Sequence, residues 1–322
     1  MANAVAQLDA ITKYQIIPRL RNDWFRGSPV LDQMVKKASK NGTLLDSGTD
    51  VRCPIATDDE GNFKWFKGSA ILDANTKDTI TAFKDVWRFS AAGVSVADTD
   101  MLQNQGAQGI VKLWKSKLDG AKKTMRKKIA TALFSSQAGE SMSGFDDMLS
   151  AASVFGGIDP ATYTDWKAKV TAAAGGVVDY QSIHQQILKQ CDTGLSEDKP
   201  TIIACNAATY GKAISTLEPQ KRFTNKDMAS AGFDYNFEVD GVPVVIDFYA
   251  TGSGLAVADN KMYFLNTDQC GLYIHKDWNF KVNDAVRPWN QAMVASFIFL
   301  AVGLWCASRR LQGVITGINP SL

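Results

Sequence analysis

Residues 109–134, GIVKLWKSKLDGAKKTMRKKIATALF, decide how the rest of the chain is read. At about 100° per residue the stretch sorts into two faces. Ile110, Val111, Trp114, Leu118, Ala121, Met125, Ile129 and Ala132 fall within an arc of roughly 100°. Lys112, Lys115, Lys122, Lys123, Arg126 and Lys127 fall in a separate arc of roughly 140°. The stretch holds eight Lys or Arg and a single acid, Asp119, so repulsion along the cationic face is little offset. As a helix it runs about 40 Å at ~1.5 Å per residue, far beyond the ~11–12 residues usual in globular domains. The cationic face has two readings: a solvated flank of a core helix, or a surface laid against a polyanion. The helix alone does not choose between them.

The surrounding chain limits the classes of function. Its 322 residues allow one large domain or two to three modules, and 45% apolar content supports a sizeable core. A net charge of +2 confines any basic surface to a local patch. Cys53, Cys191, Cys205, Cys270 and Cys306 are scattered, odd in number and without a CxxC pair, so reduced buried thiols are expected. No basic n-region with an apolar run opens the chain, so no signal peptide is expected. Residues 292–307, AMVASFIFLAVGLWCA, carry no charge but are shorter than the ~20 a membrane helix needs. They are read as a buried strand, or two broken near Gly303.

In order, residues 1–27 read as an arm interrupted by Pro18, with Ile16, Ile17, Leu20, Trp24 and Phe25 as apolar anchors. Ser28 as N-cap, Pro29 at N1 and Asn41-Gly42 at the end predict a short helix. Residues 50–57 read as a strand and 58–62, DDEGN, as a turn. Residues 63–66 then begin a return strand bearing Phe63, Trp65 and Phe66. Such a hairpin is marginal alone, so its aromatics must pack on their own domain or on another subunit. Residues 76–96 alternate as a further long strand. After the basic helix come a Gly/Ser-rich loop, a short helix at 145–152, and the irregular VFGGIDPATYTDWKA. Residues 180–270 read as a compact α/β module, with Asn206 capping its second helix. Strands return over 271–318. The outer domain is therefore discontinuous, built from both sides of the module.

Catalytic patterns are missing. No HExxH, GxxxxGK[ST] or GxSxG occurs, and the two histidines, His184 and His275, are far apart in sequence. Asp98 and Asp100 are placed to share a strand face, the one candidate metal pair. No cofactor or metal site is expected, and the chain does not read as an enzyme.

The order of these elements resembles the major capsid proteins of tailed bacteriophages. LDAITKYQIIPRLRNDWFRGSPVLDQM (8–34) resembles that family's arm and first helix. VFGGIDPATYTDW (154–166) is similar to its Gly-Gly-Ile loop, and AGFDYNFEVDGVPVVID (231–247) to its Gly-x-Pro-Val-Val segment. MYFLN (262–266) and ASRRLQGVITGI (307–318) resemble the strands that follow. The resemblance covers nearly the whole chain and implies an α+β, Hong Kong 97-like fold. Its parts are an N-terminal arm and short helix (1–45), an extended hairpin loop (46–90), a peripheral domain with the long helix (91–179 and 271–322) and an axial domain (180–270). It further implies a shell subunit forming pentamers and hexamers around double-stranded DNA, with portal and scaffolding or decoration proteins as partners and no membrane. The location implied is the virion, assembled in the host cytoplasm. On this reading Lys112, Lys115, Lys122, Lys123, Arg126 and Lys127 face DNA, and Trp24, Phe25, Phe63, Trp65 and Phe66 contact other subunits. No long helical scaffolding region precedes the arm, which leaves open a separate scaffold, a removed leader, or neither. An encapsulin-like shell enclosing protein cargo is the alternative within the same fold.

Overall fold

The computed structural model describes residues 27–40, 43–56, 65–69, 80–103, 107–191, 198–217, 237–250 and 260–319. In chain order these form α1 (Pro29–Lys40), β1 (Leu44–Leu45), β2 (Asp50–Ala56), β3 (Ile80–Val86), β4 (Arg88–Ala97), α2 (Asp98–Gln103), α3 (Ala107–Leu133), α4 (Phe145–Met148) and β5 (Lys169–Ala172). There follow α5 (Tyr180–Gln190), β6 (Ile202–Cys205), α6 (Ala207–Leu217), β7 (Phe237–Val239), β8 (Val242–Ile246), β9 (Asn260–Leu265), β10 (Cys270–His275), β11 (Lys281–Val282), β12 (Met293–Cys306) and β13 (Gly313–Ile318). Both helices and strands contribute, as expected for an α+β chain.

The uncharged run at 292–307 becomes β12, the spine of the first sheet. It pairs with β10 and β11 on one side and β4 on the other, while β1 joins the far side of β10. β12 is one unbroken strand of 14 residues. Gly303 does not break it, because the glycine serves Tyr273 opposite: a Cβ there would sit 2.1 Å from the Tyr273 hydroxyl. The long basic stretch forms α3 as predicted. It covers one face of this sheet, where Met125 and Leu133 pack in one buried cluster with Val94, Ile298 and Leu300. Trp114, Leu118, Ala121, Ile129 and Ala132 lie against the same cluster, so the apolar arc is the buried one.

The hairpin differs from expectation. Among the described residues, β2 pairs with β3, where a return strand at 63–66 was expected. Trp65 and Phe66 lie outside any strand, and Phe63 and the 58–62 turn lie outside the described residues. A strand facing β2 needs alternation; ITAFKDV supplies it with Phe83 turned inward and fully buried, whereas adjacent aromatics at 65–66 do not. The long strand expected at 76–96 is likewise two, divided at Trp87. That indole is buried, with its N–H donating to the Gly48 carbonyl at 2.9 Å, where the chain passes from the β2–β3 ladder to the β4–β12 ladder.

The second sheet runs β5-β13-β9-β6-β8-β7. Boundaries at 179 and 271 cut through it, because β5 and β13 enter from outside 180–270. β13 pairs with β9 and with β5, and this ladder fixes sheet membership more firmly than sequence continuity does. α5 and α6 cover one face through Ile183, Ile187 and Ala213. The predicted caps form: Leu31 N–H donates to Ser28 Oγ at 3.2 Å, and Thr209 N–H to Asn206 Oδ1 at 2.8 Å. The short helix expected at 145–152 ends at Met148.

Asp98 and Asp100 open helix α2 rather than sharing a strand face. Two residues apart on a helix, they are about 200° apart around its axis. Among the described residues, no cluster of three or more His, Cys, Asp or Glu is placed to hold a metal, and no helix is long and apolar enough to cross a membrane.

Candidate assembly and nucleic-acid surfaces

The sheet side of α3 is apolar, and its outer side is cationic. Lys115, Lys123, Arg126 and Lys127 are exposed and Lys122 is half-buried; the Lys112 side chain lies outside the described residues. The five described residues project from one flank, as the helical projection predicts. Arg126 is not wholly free, since its guanidinium lies 5.8 Å from the centre of the Phe280 ring. Lys117, outside the cationic arc, turns to the sheet instead and donates to the Ser95 carbonyl at 3.1 Å. Lys115, Lys123 and Lys127 are therefore the open part of the face.

The hairpin is fastened at its root by residues the sequence singled out only as irregular loop. Phe83 packs on Phe155 with ring centres 5.4 Å apart. Gly156 presents bare backbone to the Phe83 ring, and its carbonyl accepts from Lys84 N–H at 2.8 Å. The Trp166 indole donates to the Phe155 carbonyl at 3.2 Å. Beneath this loop lies Arg309, fully buried and, among the described residues, with no carboxylate within ion-pair distance of its guanidinium. It donates to the carbonyls of Met148 at 2.6 Å, Ser153 at 2.8 Å and Asp147 at 3.0 Å, and also to that of Ser150. Burial lowers its pKa to about 10. Thus the VFGGI loop and the ASRRLQG segment form one clasp under the hairpin.

A second fastening holds the passage from β3 to β4. The Tyr273 hydroxyl donates to Asp85 Oδ2 at 2.9 Å, and Trp87 meets the Tyr273 ring edge-on at 5.1 Å. Burial pushes the Asp85 carboxyl up, against the opposing pull of the Tyr273 hydrogen bond. At the start of α1, the Ser28 hydroxyl donates to the buried Asp247 Oδ2 at 2.5 Å.

Of the expected contact residues, Trp65 is 91% and Phe66 61% exposed; Trp24, Phe25 and Phe63 lie outside the described residues. Five further aromatics are exposed among the described residues: Phe89, Tyr180, Phe248, Phe297 and Trp289, the last 97% exposed. The signal for Phe89 was its odd place in an alternating strand. Phe297 was hidden in a run that is apolar on both faces.

No family model matches the sequence, and no curated protein does. Solved structures do. The capsid asymmetric unit of cyanophage A-1(L) superposes with a TM-score of 0.69 at 16% identity, over 96% of this chain and 98% of that one. The capsid of a native GTA particle gives 0.64 at 14%, over 98% of each chain. The chain has the Hong Kong 97-like capsid fold. The SrpI encapsulin of Synechococcus elongatus PCC 7942 shares that fold more distantly, at a TM-score of 0.58 and 10% identity over 94% of this chain and 98% of that one.

Proposed function

We propose that this chain is the major capsid protein of a tailed phage, assembling as pentamers and hexamers into an icosahedral shell around double-stranded DNA. The likeness to phage and GTA capsid subunits carries the reading, since it spans 96% and 98% of this chain. The cationic flank of α3 supports a nucleic-acid content over a protein cargo. Lys112, Lys115, Lys122, Lys123, Arg126 and Lys127 face the packaged DNA and bind phosphate without reading sequence, because a packaged genome has no fixed register against each subunit. Trp24, Phe25, Phe63, Trp65 and Phe66 bury surface on neighbouring subunits. The hairpin loop (46–90) reaches out from a peripheral domain (91–179 and 271–322) and an axial domain (180–270), with β5 and β13 completing the axial sheet. The particle is assembled in the host cytoplasm, fills through a portal, and uses scaffolding or decoration proteins. The subunit does no catalysis; its product is the assembly.

Electron microscopy and nucleic-acid quantitation of the purified assembly test this. Closed particles with five- and six-fold capsomers that co-purify with nuclease-protected double-stranded DNA are expected. Closed particles holding a protein cargo and no DNA would instead establish the encapsulin-like alternative, and monomers or dimers under all assembly conditions would refute both.

A further inference from the structure

Among the described residues, β4 is an edge strand, paired with β12 alone. Its register shows which backbone groups are free. Asn283 N–H donates to the Phe297 carbonyl at 2.9 Å, so Phe297 turns its polar groups toward β11. Its neighbour on the other side, Gly93, is then a non-hydrogen-bonded partner. By alternation Ser90, Ala92 and Val94 bond to β12, while Phe89, Ala91, Gly93 and Ser95 aim N–H and C=O at the open edge. The Lys117 ammonium on the Ser95 carbonyl, at 3.1 Å, lies where this assignment requires. Among the described residues nothing pairs the outward groups of Phe89, Ala91 and Gly93. All three residues are exposed, and the window has no proline or charged side chain on that face. Such an edge is a template for another strand.

We propose that two copies of this chain join through β4, antiparallel about a two-fold axis at Ala91. Phe89 then opposes the partner's Gly93, Ala91 opposes the partner's Ala91, and three hydrogen-bonded pairs exchange about six backbone bonds. The edge is self-complementary. Gly93 has open surface on the face where the Phe297 ring lies 3.3 Å from its would-be Cβ. The partner's Phe89 enters the same row, so two exposed aromatics flank one glycine and cover each other's free surface. The register is bounded on both sides. Sliding toward the C-terminus meets Ser95, whose carbonyl Lys117 holds, and sliding toward the N-terminus meets the buried Trp87, where the strand is interrupted. The inference builds on the shell reading, which supplies many copies at high local concentration.

Ala91→Pro removes an outward N–H that the ladder does not use, a substitution edge strands tolerate. The unassembled subunit is expected to keep its far-UV circular dichroism and unfolding midpoint, while particle yield falls by about tenfold. Ala92→Pro removes an N–H bonded to β12 and is expected to unfold the subunit. Should Ala91→Pro disturb folding, Ala91→Cys decides: in assembled protein oxidised with diamide, peptide mass spectrometry is expected to find a 91–91 disulfide, the Cα separation of ~5.5 Å being within reach. A folded Ala91→Pro subunit that assembles at parental yield overturns the proposal, and so does an Ala91→Cys particle with no 91–91 link. Absence of particles from the parent protein refutes the shell reading instead. A 91–91 dimer in solution would still uphold the strand pairing, and its absence would overturn both.

Discussion

A methyl group on Gly156 would lie 1.9 Å from Phe83 Cδ2, on a residue whose φ is +64°. Both the clash and the left-handed backbone oppose any side chain there. Gly156→Ala is expected to cost about 2–4 kcal/mol of unfolding free energy, measured by denaturant titration of the unassembled subunit. Arg309 stands at the other end of the same clasp. Arg309→Met fills much of the volume but leaves the carbonyls of Asp147, Met148, Ser150 and Ser153 without their donor, and a loss of about 3 kcal/mol is expected. Arg309→Lys recovers little of it, because one ammonium cannot reproduce the planar fork. Asp247 makes a different prediction. Burial raises its pKa, although Ser28 and the Tyr249 N–H donate to it. In the native state it binds a proton more tightly than in the unfolded chain, so its stabilising contribution is full at low pH and is lost as pH rises from the ordinary carboxylate range near 4 through the raised value. Asp247→Asn should flatten that part of the stability profile; an unchanged slope would assign it to another group, Asp85 first.

At the scale of elements, the proposed reading divides the two jobs of a shell subunit between α3 and the hairpin. Because Arg126 is engaged with Phe280 and Lys122 is half-buried, the decisive test of the DNA-facing flank uses Lys115, Lys123 and Lys127. Replacing all three with Gln is expected to leave assembly intact while packaged DNA escapes more readily on heating. The difference should shrink as salt rises, since each phosphate contact releases counterions. Equal genome retention at low salt would leave only the solvated-face reading. For the hairpin, Trp65→Ala should leave the far-UV signal of the free subunit unchanged and reduce particle yield or heat resistance, as loss of a large aromatic at a contact does. These elements were unequally legible. α3 was readable because one long amphipathic period fixes both its type and its buried face. The caps at Ser28 and Asn206 were readable because they are local. The hairpin was misread because its return strand starts at Ile80, more than twenty residues beyond the end of β2, and no local signal spans such a separation. The clasp of Phe83, Gly156 and Arg309 was visible only as family-like text. Its meaning lies in contacts between segments some 70 to 160 residues apart.

At the scale of the molecule, one core runs through both sheets. The cluster that holds Val94, Ile298 and Leu300 beneath α3 also contains Ile202, Ala204 and Leu265 of the second sheet. The join is aromatic. Phe134 at the end of α3, Phe145 of α4 and Tyr263 of β9 form a triangle with centres 5.2 Å, 5.3 Å and 6.0 Å apart. The Tyr263 hydroxyl donates to Asp146 at 3.1 Å, and Lys261 pairs with the same carboxylate at 2.9 Å. A ring shared in this way couples the two sheets, so the unassembled subunit should unfold in one transition, coincident by tryptophan fluorescence and far-UV circular dichroism. Tyr263→Phe keeps the triangle and loses one hydrogen bond, for about 1 kcal/mol. Tyr263→Ala opens a cavity at the join and should cost about 3–5 kcal/mol. Beyond that loss, it should separate the two probes, because the cluster of Ile183, Ile187 and Ala213 on the far face of the second sheet persists without Tyr263. Hydrogen exchange would then show β6 and β8 protected after β4 and β12 have opened. Coincident transitions in Tyr263→Ala would mean that the coupling runs instead through the β10–β12 ladder and the clasp around Arg309.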